Sequence, residues 1–438
     1  MSTMPPVESY PSLKVLISVY ACAPNVGSEP GVGWNIVCAL AKHHELYVFT
    51  RASNAPAIEA ELSKQPIDNL NFIYFDPPTW AAWLPPANVA HYYFWQIEAY
   101  AVAKELLRTQ PIHLVHHITY VRYSTPSFLS LLPLPFIFGP VGGGEQAPST
   151  FWQSFSLRGK VYNVLRNLSH KVGELDPFTR ATARRSFLVR ATTVDTAARL
   201  KKLGAANVQV ASALGLSQEE IDQLAQQPDP PPAPIRFISI ARLLHWKGIY
   251  LGLQAFADVV QHSDSLNECE YWILGEGPER DRLGTLADEL DIAKQVKFLG
   301  VLPRDQTLQK IAECHVLLHP SLHDSGGFVC LEAMAAGRPV ICLDLGGPAV
   351  QVTPAAGVLV PAEDPKQAVR SLSQAMVKLA TDHPLRAQMG AAGRQHVLEN
   401  YVWEAKAQQL AQLYRDCVEQ QPVDMSPSVL ESQESNCT

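Results

Sequence analysis

The sequence lacks the cysteine spacings that bind structural zinc or mark a redox site. Eight cysteines are spread over 438 residues, and none forms a C-x-x-C pair. Most lie in apolar segments, as small buried side chains do. This distribution favours a reducing compartment over a disulfide framework. Because no zinc spacing and no D-x-D between apolar strands is present, the sequence predicts no metal site.

Long apolar runs and an excess of positive charge are also missing. Prolines interrupt the longest apolar run, residues 128–144, whereas a membrane helix needs about 20 consecutive apolar residues. The first eleven residues have no apolar signal-peptide core. A net charge of −7 argues against a general nucleic-acid binder. We therefore expect a cytoplasmic protein.

What is present is an alternation of short apolar strands with helical stretches, which restarts near residue 235. Such alternation predicts βαβ units, so the expected fold class is α/β, with two Rossmann-like domains and parallel sheets. Between the halves, residues 217–234 lose their apolar periodicity and end in a proline-rich stretch, which predicts a linker. The expected boundaries are 1–216 for the first domain, 235–399 for the second and 419–438 for a disordered tail.

The strongest motif follows a predicted strand that ends at His319. It contains Asp324, the pair Gly326 and Gly327, and then Glu332. The glycines permit a tight turn before a helix, and the free N–H groups and dipole of that helix favour an anion. The two carboxylates suit the hydroxyls of a sugar and a ribose. The alternative is that Asp324 only caps the helix and Glu332 only favours its first turn.

Two cations and two glycines follow the next predicted strands of the second half. Arg242 and Lys247 lie five residues apart, and both can point into the mouth of a cleft. Positive charge there would stabilise a diphosphate leaving group, although two ordinary surface cations are the alternative. Gly275 and Gly277 let the backbone approach a ligand, although such turns are more often structural.

In the first half, a glycine loop follows the first predicted strand. Its pattern over residues 27–33 is G-x-x-x-G-x-G, which differs from the dinucleotide pattern G-x-G-x-x-G and disfavours an oxidoreductase. Gly31 and Gly33 can still bring the backbone close to a phosphate or a sugar. We place the following helix from about Trp34.

A histidine pair and another glycine corner lie further along the first half. His116 and His117 follow a predicted strand, where an imidazole can meet a reacting hydroxyl. A structural histidine is the alternative, and the sequence alone does not separate the two residues. A third glycine corner on the same rim contains Gly143 and Glu145.

Together these motifs resemble glycosyltransferase family 4, whose members are retaining enzymes of the GT-B fold. The resemblance covers residues 13–416, and its most specific part is EAMAAGRPV, which begins at Glu332. A subgroup with motifs like GSEPGVGWN and GPVGGGE typically builds polysaccharides or other glycoconjugates. The resemblance implies two Rossmann-like domains facing a cleft. It also implies that a C-terminal helix at 400–417 packs back on the first domain.

The resemblance further implies roles for individual residues. Arg242 and Lys247 would hold the diphosphate of a nucleotide-sugar donor, and Glu332 would bind the ribose. Asp324 stands where the family has glutamate, so its shorter reach bears on donor-sugar geometry and identity. His116 would match the cleft histidine, with His117 as the less favoured choice. The other donor-binding candidates are Gly31, Gly33, Gly275, Gly277, Gly326, Gly327, Phe328 and Val329, and the acceptor-side candidates are His117, Gly143 and Glu145.

The implied reaction retains the anomeric configuration and uses no metal and no cofactor beyond the donor substrate. The acceptor would be a glycan, a lipid-linked sugar or a small molecule. The alternatives are a catalytically silent sugar-binding protein, suggested by Asp324, and a phosphorylase or epimerase on the same scaffold.

Residues 151–190 differ in charge from the rest of the chain. They contain eight Arg or Lys against two Asp or Glu, a local balance of +6, with aromatic residues interleaved. Such a stretch can lie on an anionic membrane surface, here the inner face, and a solvated helix face is the alternative.

Overall fold

The computed structural model describes residues 12–421 apart from 82, 86, 87, 121 and 262–265. All but the first three residues of the tail predicted at 419–438 lie outside the described residues. Across the described residues, every helix falls short of the length and apolarity that a bilayer-spanning segment requires.

The first parallel sheet lies in the N-terminal half. Within the described residues its strands are β1 (Lys14–Val19), β2 (Glu45–Arg51), β3 (Leu70–Phe75), β4 (Leu114–Thr119), β5 (Phe136–Val141), β6 (Leu188–Ala191) and β7 (Val208–Val210). Their order is β3-β2-β1-β4-β5-β6-β7. The central strand β1 pairs with β4 so that Ile17 is in register with His116. Because helices cover both faces, β1 is a nearly continuous apolar run.

The second parallel sheet repeats this plan. In the described part of the chain its strands are β8 (Arg236–Ile240), β9 (Glu270–Leu274), β10 (Val296–Gly300), β11 (Val316–His319), β12 (Val340–Leu343) and β13 (Gly357–Val360). Their order is β10-β9-β8-β11-β12-β13. In both sheets the strand order reverses beside the first strand, between β1 and β4 and between β8 and β11. Ligands of open α/β sheets bind beyond the carboxyl ends of the strands at such points.

Helices connect the strands of both sheets, as the predicted α/β class requires. Those of the first half are α1 (Ser28–Leu40), α2 (Ala55–Lys64), α3 (Val89–Thr109), α4 (Leu157–Leu175), α5 (Pro177–Arg185) and α6 (Val194–Leu203). Those of the second half are α7 (Gln218–Ala225), α8 (Ile249–Gln261), α9 (Arg280–Glu289), α10 (Arg304–Ala312), α11 (Phe328–Ala335), α12 (Gly346–Gln351), α13 (Pro365–Thr381), α14 (His383–Asn400) and α15 (Trp403–Gln420). The predicted pair of parallel Rossmann-like sheets is confirmed.

The stretch 217–234, predicted as a linker, contains the helix α7. Ser217 and Glu220 form a capping box, in which each side chain accepts a hydrogen bond from the other's backbone N–H. Ile221 and Leu224 are buried in a core cluster of the second domain. The prediction missed this helix because two apolar positions in one short stretch are too few to define a period.

The last helix, α15, lies against the first domain. Leu410 and Tyr414 belong to the same buried cluster as Val15 of β1 and Ile36 of α1. The chain crosses back where Leu216 and Val402 form an isolated bridge. This is the helix expected at 400–417, and in the structure it begins and ends three residues later, at 403 and 420.

A segment of the first half packs into the second domain. Phe151 and Phe155 belong to the same buried cluster as Phe237 of β8. Arg282 Nη2 donates to Ser154 O at 2.7 Å. The stretch before α4 therefore lies against the second sheet, although it precedes residue 216 in the chain.

Candidate functional site

Lys247 and Asp324 meet at the carboxyl ends of the neighbouring strands β8 and β11. Lys247 Nζ lies 2.5 Å from Asp324 Oδ2, and His319 Nε2 lies 3.4 Å from the same oxygen. Gly326 N–H donates to Oδ1 at 3.2 Å. Burial alone would raise the pKa of Asp324, but the hydrogen bond to His319 and the charge of Lys247 outweigh it, so its pKa lies well below the ordinary range. Asp324 is therefore ionised at neutral pH.

The glycine turn after Asp324 allows a close approach of backbone and neighbouring loops. Gly327 has φ +89°, and a Cβ there would lie 2.9 Å from Pro348 Cγ. A Cβ on Gly326 would lie 3.2 Å from Leu214 Cδ1, in the segment that leads out of the first domain. The turn leads directly into α11 with Gly327 as its N-cap. The first-turn N–H groups of α11, which include those of Phe328 and Val329, have no intrahelical acceptor and suit an anion.

Glu332 is buried in α11 and paired with a residue that the sequence interpretation missed. Arg304 Nη1 donates to Glu332 Oε1, and Arg304 Nη2 lies 3.0 Å from Glu220 Oε1. Burial raises the pKa of Glu332, and Arg304 only partly opposes this shift. Local sequence gave no signal for Arg304, because its position at the start of α10 becomes informative only once α7, α10 and α11 are packed together.

Arg242 lies just beyond β8 on the same edge of the sheet as Lys247. Its side chain is exposed, and within the described part of the chain its guanidinium has no ion-pair partner. Lys247 is paired with Asp324, whereas Arg242 is available for an incoming anion. The structure thus brings Arg242, Lys247, Asp324 and the start of α11 to one edge.

Gly275 and Gly277 contact the loop that contains Arg242. Gly275 has φ +127°, and a Cβ there would lie 1.9 Å from Ala241 O. A Cβ on Gly277 would lie 2.4 Å from Leu243 O. Their close backbone approach is to this neighbouring loop, so these contacts position Arg242 and give no support to direct ligand binding.

Gly31 and Gly33 lie inside helix α1, which begins at Ser28 and not near Trp34 as predicted. Proline is tolerated in the first helical turn, which is why Pro30 did not delay the helix. A Cβ on Gly33 would lie 2.3 Å from Ala21 O. Gly33 therefore lets α1 pack against the end of β1, and Gly31, where a Cβ would lie 1.9 Å from Val26 O, lets the preceding loop approach the helix. The predicted donor contact has no support from the position of either glycine.

His116 is fully buried, with both ring nitrogens engaged. Nδ1 lies 2.6 Å from the Tyr414 hydroxyl and Nε2 lies 2.6 Å from Gly139 O. Since a carbonyl can only accept, Nε2 carries the proton and Nδ1 accepts from Tyr414. Burial lowers the pKa of His116 to about 3. In this arrangement His116 joins α15 to the first sheet and presents no free nitrogen to the cleft.

His117 is equally buried, and burial lowers its pKa to about 4. Its Nε2 lies 3.5 Å from Tyr120 O. The geometry therefore gives neither member of the histidine pair a contact with the cleft. The sequence prediction rested on their place at a strand's end. It had no information on α15, whose Tyr414 contacts His116, or on α3, whose Tyr92 ring contacts that of His117.

Glu145 is buried, and both of its carboxylate oxygens accept hydrogen bonds within the protein. Oε1 accepts from the hydroxyls of Thr193 and Thr196 at 2.8 and 3.0 Å, and Oε2 accepts from Gly143 N–H at 3.0 Å. Arg166 of α4 donates to the backbone carbonyls of both Gly143 and Glu145. These contacts fix the glycine corner and give no support to the predicted contact of Glu145 with an acceptor. Gly143 itself, with φ +87°, has open space around its Cα.

The second domain, which contains this edge, is similar to known proteins. Residues 220–396 match the family model described as Glycosyl transferases group 1. A GDP-mannose-dependent monoacylated alpha-(1-6)-phosphatidylinositol monomannoside mannosyltransferase of Corynebacterium glutamicum is 35% identical over 153 residues, which are 33% of this chain and 39% of that protein. The putative colanic acid biosynthesis glycosyltransferase WcaL of Escherichia coli is 28% identical over 240 residues, 52% of this chain and 57% of that protein. The match thus spans about two fifths to three fifths of these relatives.

Solved structures resemble the chain over nearly its whole length. Sucrose-phosphate synthase from Thermosynechococcus elongatus superposes with a TM-score of 0.61 at 18% identity, covering 92% of this chain and 98% of that one. HepE of Anabaena in complex with UDP and glucose gives a TM-score of 0.56 at 16% identity and covers 92% and 100%. This likeness shows the fold, which is GT-B, the two-domain fold of many glycosyltransferases.

Proposed function

We propose that the protein is a glycosyltransferase that moves a sugar from a nucleotide-diphosphate donor to an acceptor. The observation that supports this most strongly is the edge between β8 and β11, where Lys247, Asp324 and the first turn of α11 meet. The family match covers this edge. Relatives and structural neighbours include a GDP-mannose-dependent enzyme and a complex with UDP-glucose, which supports a nucleotide sugar as donor.

In this proposal, each group at the edge has a distinct task. Arg242, exposed and free of ion pairs among the described residues, and Lys247 stabilise the negative charge that develops on the diphosphate. Asp324 orients Lys247 and can accept from a sugar hydroxyl. Arg304 holds Glu332 Oε1, so we assign the other oxygen of Glu332 to a ribose hydroxyl.

We further propose that the reaction retains the anomeric configuration and is metal-independent. The bond between the anomeric carbon and the phosphate oxygen breaks, and the acceptor oxygen bonds to that carbon on the same face. The acceptor's proton passes to the departing phosphate, so no protein base is needed. The charges of Arg242 and Lys247, with the N–H groups of α11, support charge neutralisation without a metal ion.

For the acceptor we propose a class of molecule. The acceptor is a glycan, a lipid-linked sugar or a small molecule, and the product belongs to polysaccharide or glycoconjugate biosynthesis. We propose that the enzyme acts at the inner face of an anionic membrane. The relatives include a phosphatidylinositol monomannoside mannosyltransferase and a putative colanic acid biosynthesis glycosyltransferase, which supports this range. The basic stretch 151–190 supports the membrane surface.

Release of nucleoside diphosphate from a panel of UDP-, GDP-, ADP- and dTDP-sugars, with candidate acceptors, tests the activity. Proton NMR of the product then reports the anomeric configuration, and a parallel reaction in EDTA reports the metal requirement. We expect one donor class to turn over, with retention and without loss in EDTA. Donor binding without any turnover would instead favour a silent sugar-binding protein, and an inverted product would refute the retaining mechanism.

A further inference from the structure

Helix α4 has its apolar face turned outward. Seven apolar side chains of α4 are between 50 and 79% exposed. They are Leu157, Val161, Val164, Leu165, Leu168, Val172 and Leu175. Since each residue advances about 100° around a helix, these positions fall within an arc of about 100°. The face is therefore one continuous apolar stripe along the helix, the reverse of an ordinary surface helix.

The inner side of α4 is polar or small and firmly attached to the rest of the protein. Arg166 donates to the carbonyls of the glycine corner, at 2.7 Å for Glu145 O. The ring of His170 contacts that of Tyr123 edge-on, with centroids 5.4 Å apart. A Cβ on Gly173 would lie 2.2 Å from Ser124 O. These contacts fix the rotation of α4 about its axis, so the apolar stripe cannot turn inward.

Basic residues border the stripe on both sides. Lys160 and Lys171 lie along one edge and Arg158 along the other, by the same helical angles. Further exposed cations follow on α5, at Arg184 and Arg185. No acidic residue interrupts the stripe itself, although the whole chain carries a net charge of −7. An apolar stripe flanked by cations complements the acyl chains and the anionic head groups of a bilayer.

We infer that α4 docks the protein on an anionic lipid bilayer by inserting its apolar stripe between the head groups. Apolar area of this kind left in water is costly, and a solvated helix would place polar side chains there. The flanking cations favour an anionic membrane over a second copy of this chain, which would bring like charges together. This inference deepens the membrane partner in the proposed function, but it does not depend on sugar transfer.

Docking through α4 also sets where the donor edge lies. Tyr162 stacks on Trp246, with ring centroids 4.8 Å apart, and a Cβ on Gly159 would lie 2.8 Å from the ring of His245. His245 and Trp246 immediately precede Lys247. An α4 in the head-group layer therefore holds the Lys247 loop close to the membrane, within reach of an acceptor whose sugar projects from a lipid.

Vesicle co-sedimentation with the full chain, without donor or acceptor, tests the inference. The probes are vesicles of phosphatidylcholine alone and of phosphatidylcholine mixed with phosphatidylglycerol. Val172→Glu places a charge in the stripe, and Val301→Glu makes the same change at a valine 74% exposed in the second domain. We expect binding to the anionic vesicles that weakens with salt, a loss of roughly tenfold or more in Val172→Glu, and no change in Val301→Glu.

The melting temperature of each variant is measured as a control for folding. Because both substituted positions are exposed, we expect it to equal that of wild type. Equal binding by wild type and Val172→Glu, or no binding by wild type at low salt, would overturn the inference. Light scattering without lipid could also overturn it. A dimer that Val172→Glu dissociates would mean that a second copy of the chain covers the stripe. Since no sugar donor enters the assay, its failure is distinct from failure of the transferase proposal.

Discussion

Lys247 and Asp324, separated by 77 residues in sequence, form an ion pair 2.5 Å long between the ends of β8 and β11. The pair joins the two loops that border the proposed donor site. Each side chain is mostly buried, so the pair resists screening by solvent and holds the loops in register. A substitution in this pair should therefore change stability as well as activity. A substitution of a neighbouring residue outside the pair should change activity alone.

Asp324→Asn is expected to destabilise the protein at neutral pH by about 3 kcal/mol, because Lys247 is left unpaired in a partly buried position. The pKa of Asp324 is lowered on folding, so its stabilisation is present above its ordinary value of 3.8 and is lost as pH falls below it. Urea unfolding at pH 7 and at pH 3 measures this. The difference between wild type and Asp324→Asn should shrink at pH 3, and an equal difference at both pH values would contradict the pairing.

Arg242→Ala and Lys247→Ala should each lower kcat by about 100-fold or more if both cations stabilise the leaving group. Their effects on stability should differ. Arg242 is exposed, so its removal should leave the melting temperature nearly unchanged, whereas removal of Lys247 leaves Asp324 unpaired and should lower it. Arg370→Ala, at an exposed arginine of α13, is the matched control and should change neither. Near-normal kcat in both site variants would exclude them from the chemistry.

Arg304→Ala should raise the donor KM more than it lowers kcat. Without Arg304 the buried carboxylate of Glu332 loses its charge partner and its fixed orientation toward the ribose. Arg304→Lys keeps the charge and should restore part of the affinity. Steady-state kinetics with a fixed acceptor separate the two constants. A fall in kcat alone, with KM unchanged, would argue against a ribose contact through Glu332.

The sequence predicted the strand, the glycine turn and the helix of the second-domain edge, because this signature is local. A strand, a glycine turn and a helix N-terminus follow one another within residues 316–332, so Asp324 and Glu332 could be placed together from their spacing. Arg304 could not, since its contact with Glu332 depends on the packing of three helices. His116 was assigned to the cleft because nothing near it in the sequence reveals Tyr414, 298 residues away, which covers it.

Buried neutral histidines should make the fold acid-labile. Burial lowers the pKa to about 3 or 4 in the following six residues: His44, His116, His117, His170, His315 and His323. Their folded values lie below the ordinary 6.5, so stability is full above about pH 6.5 and falls as the unfolded chain takes up protons between pH 6.5 and 4.

The substitution His116→Gln removes one of these six titrating groups. Its amide can still accept from Tyr414 and donate to Gly139 O, so the hydrogen bonds survive. We expect the slope of unfolding free energy against pH, measured in urea from pH 6.5 to 4, to fall by up to about 1.4 kcal/mol per pH unit. An unchanged slope would mean that His116 is protonated in the folded state.

Gly275→Ala should destabilise the protein strongly, because a methyl group would lie 1.9 Å from Ala241 O. Gly143→Ala is a useful comparison, since its φ of +87° is also positive but its surroundings are open. It should cost only about 1 kcal/mol for the left-handed conformation. Thermal unfolding of both variants measures the difference. Equal losses would mean that the approach of Gly275 to the Arg242 loop is unimportant.

The central claim, that the β8–β11 edge binds a nucleotide sugar, is tested most directly by thermal shift. Wild type and Arg242→Ala are each melted with UDP-, GDP-, ADP- and dTDP-sugars. A ligand at 100 times its Kd adds about 2.7 kcal/mol, which a melting curve resolves easily. We predict that one nucleotide class raises the melting temperature of wild type and raises that of Arg242→Ala much less. No shift with any of them, or an equal shift in both proteins, would contradict the claim.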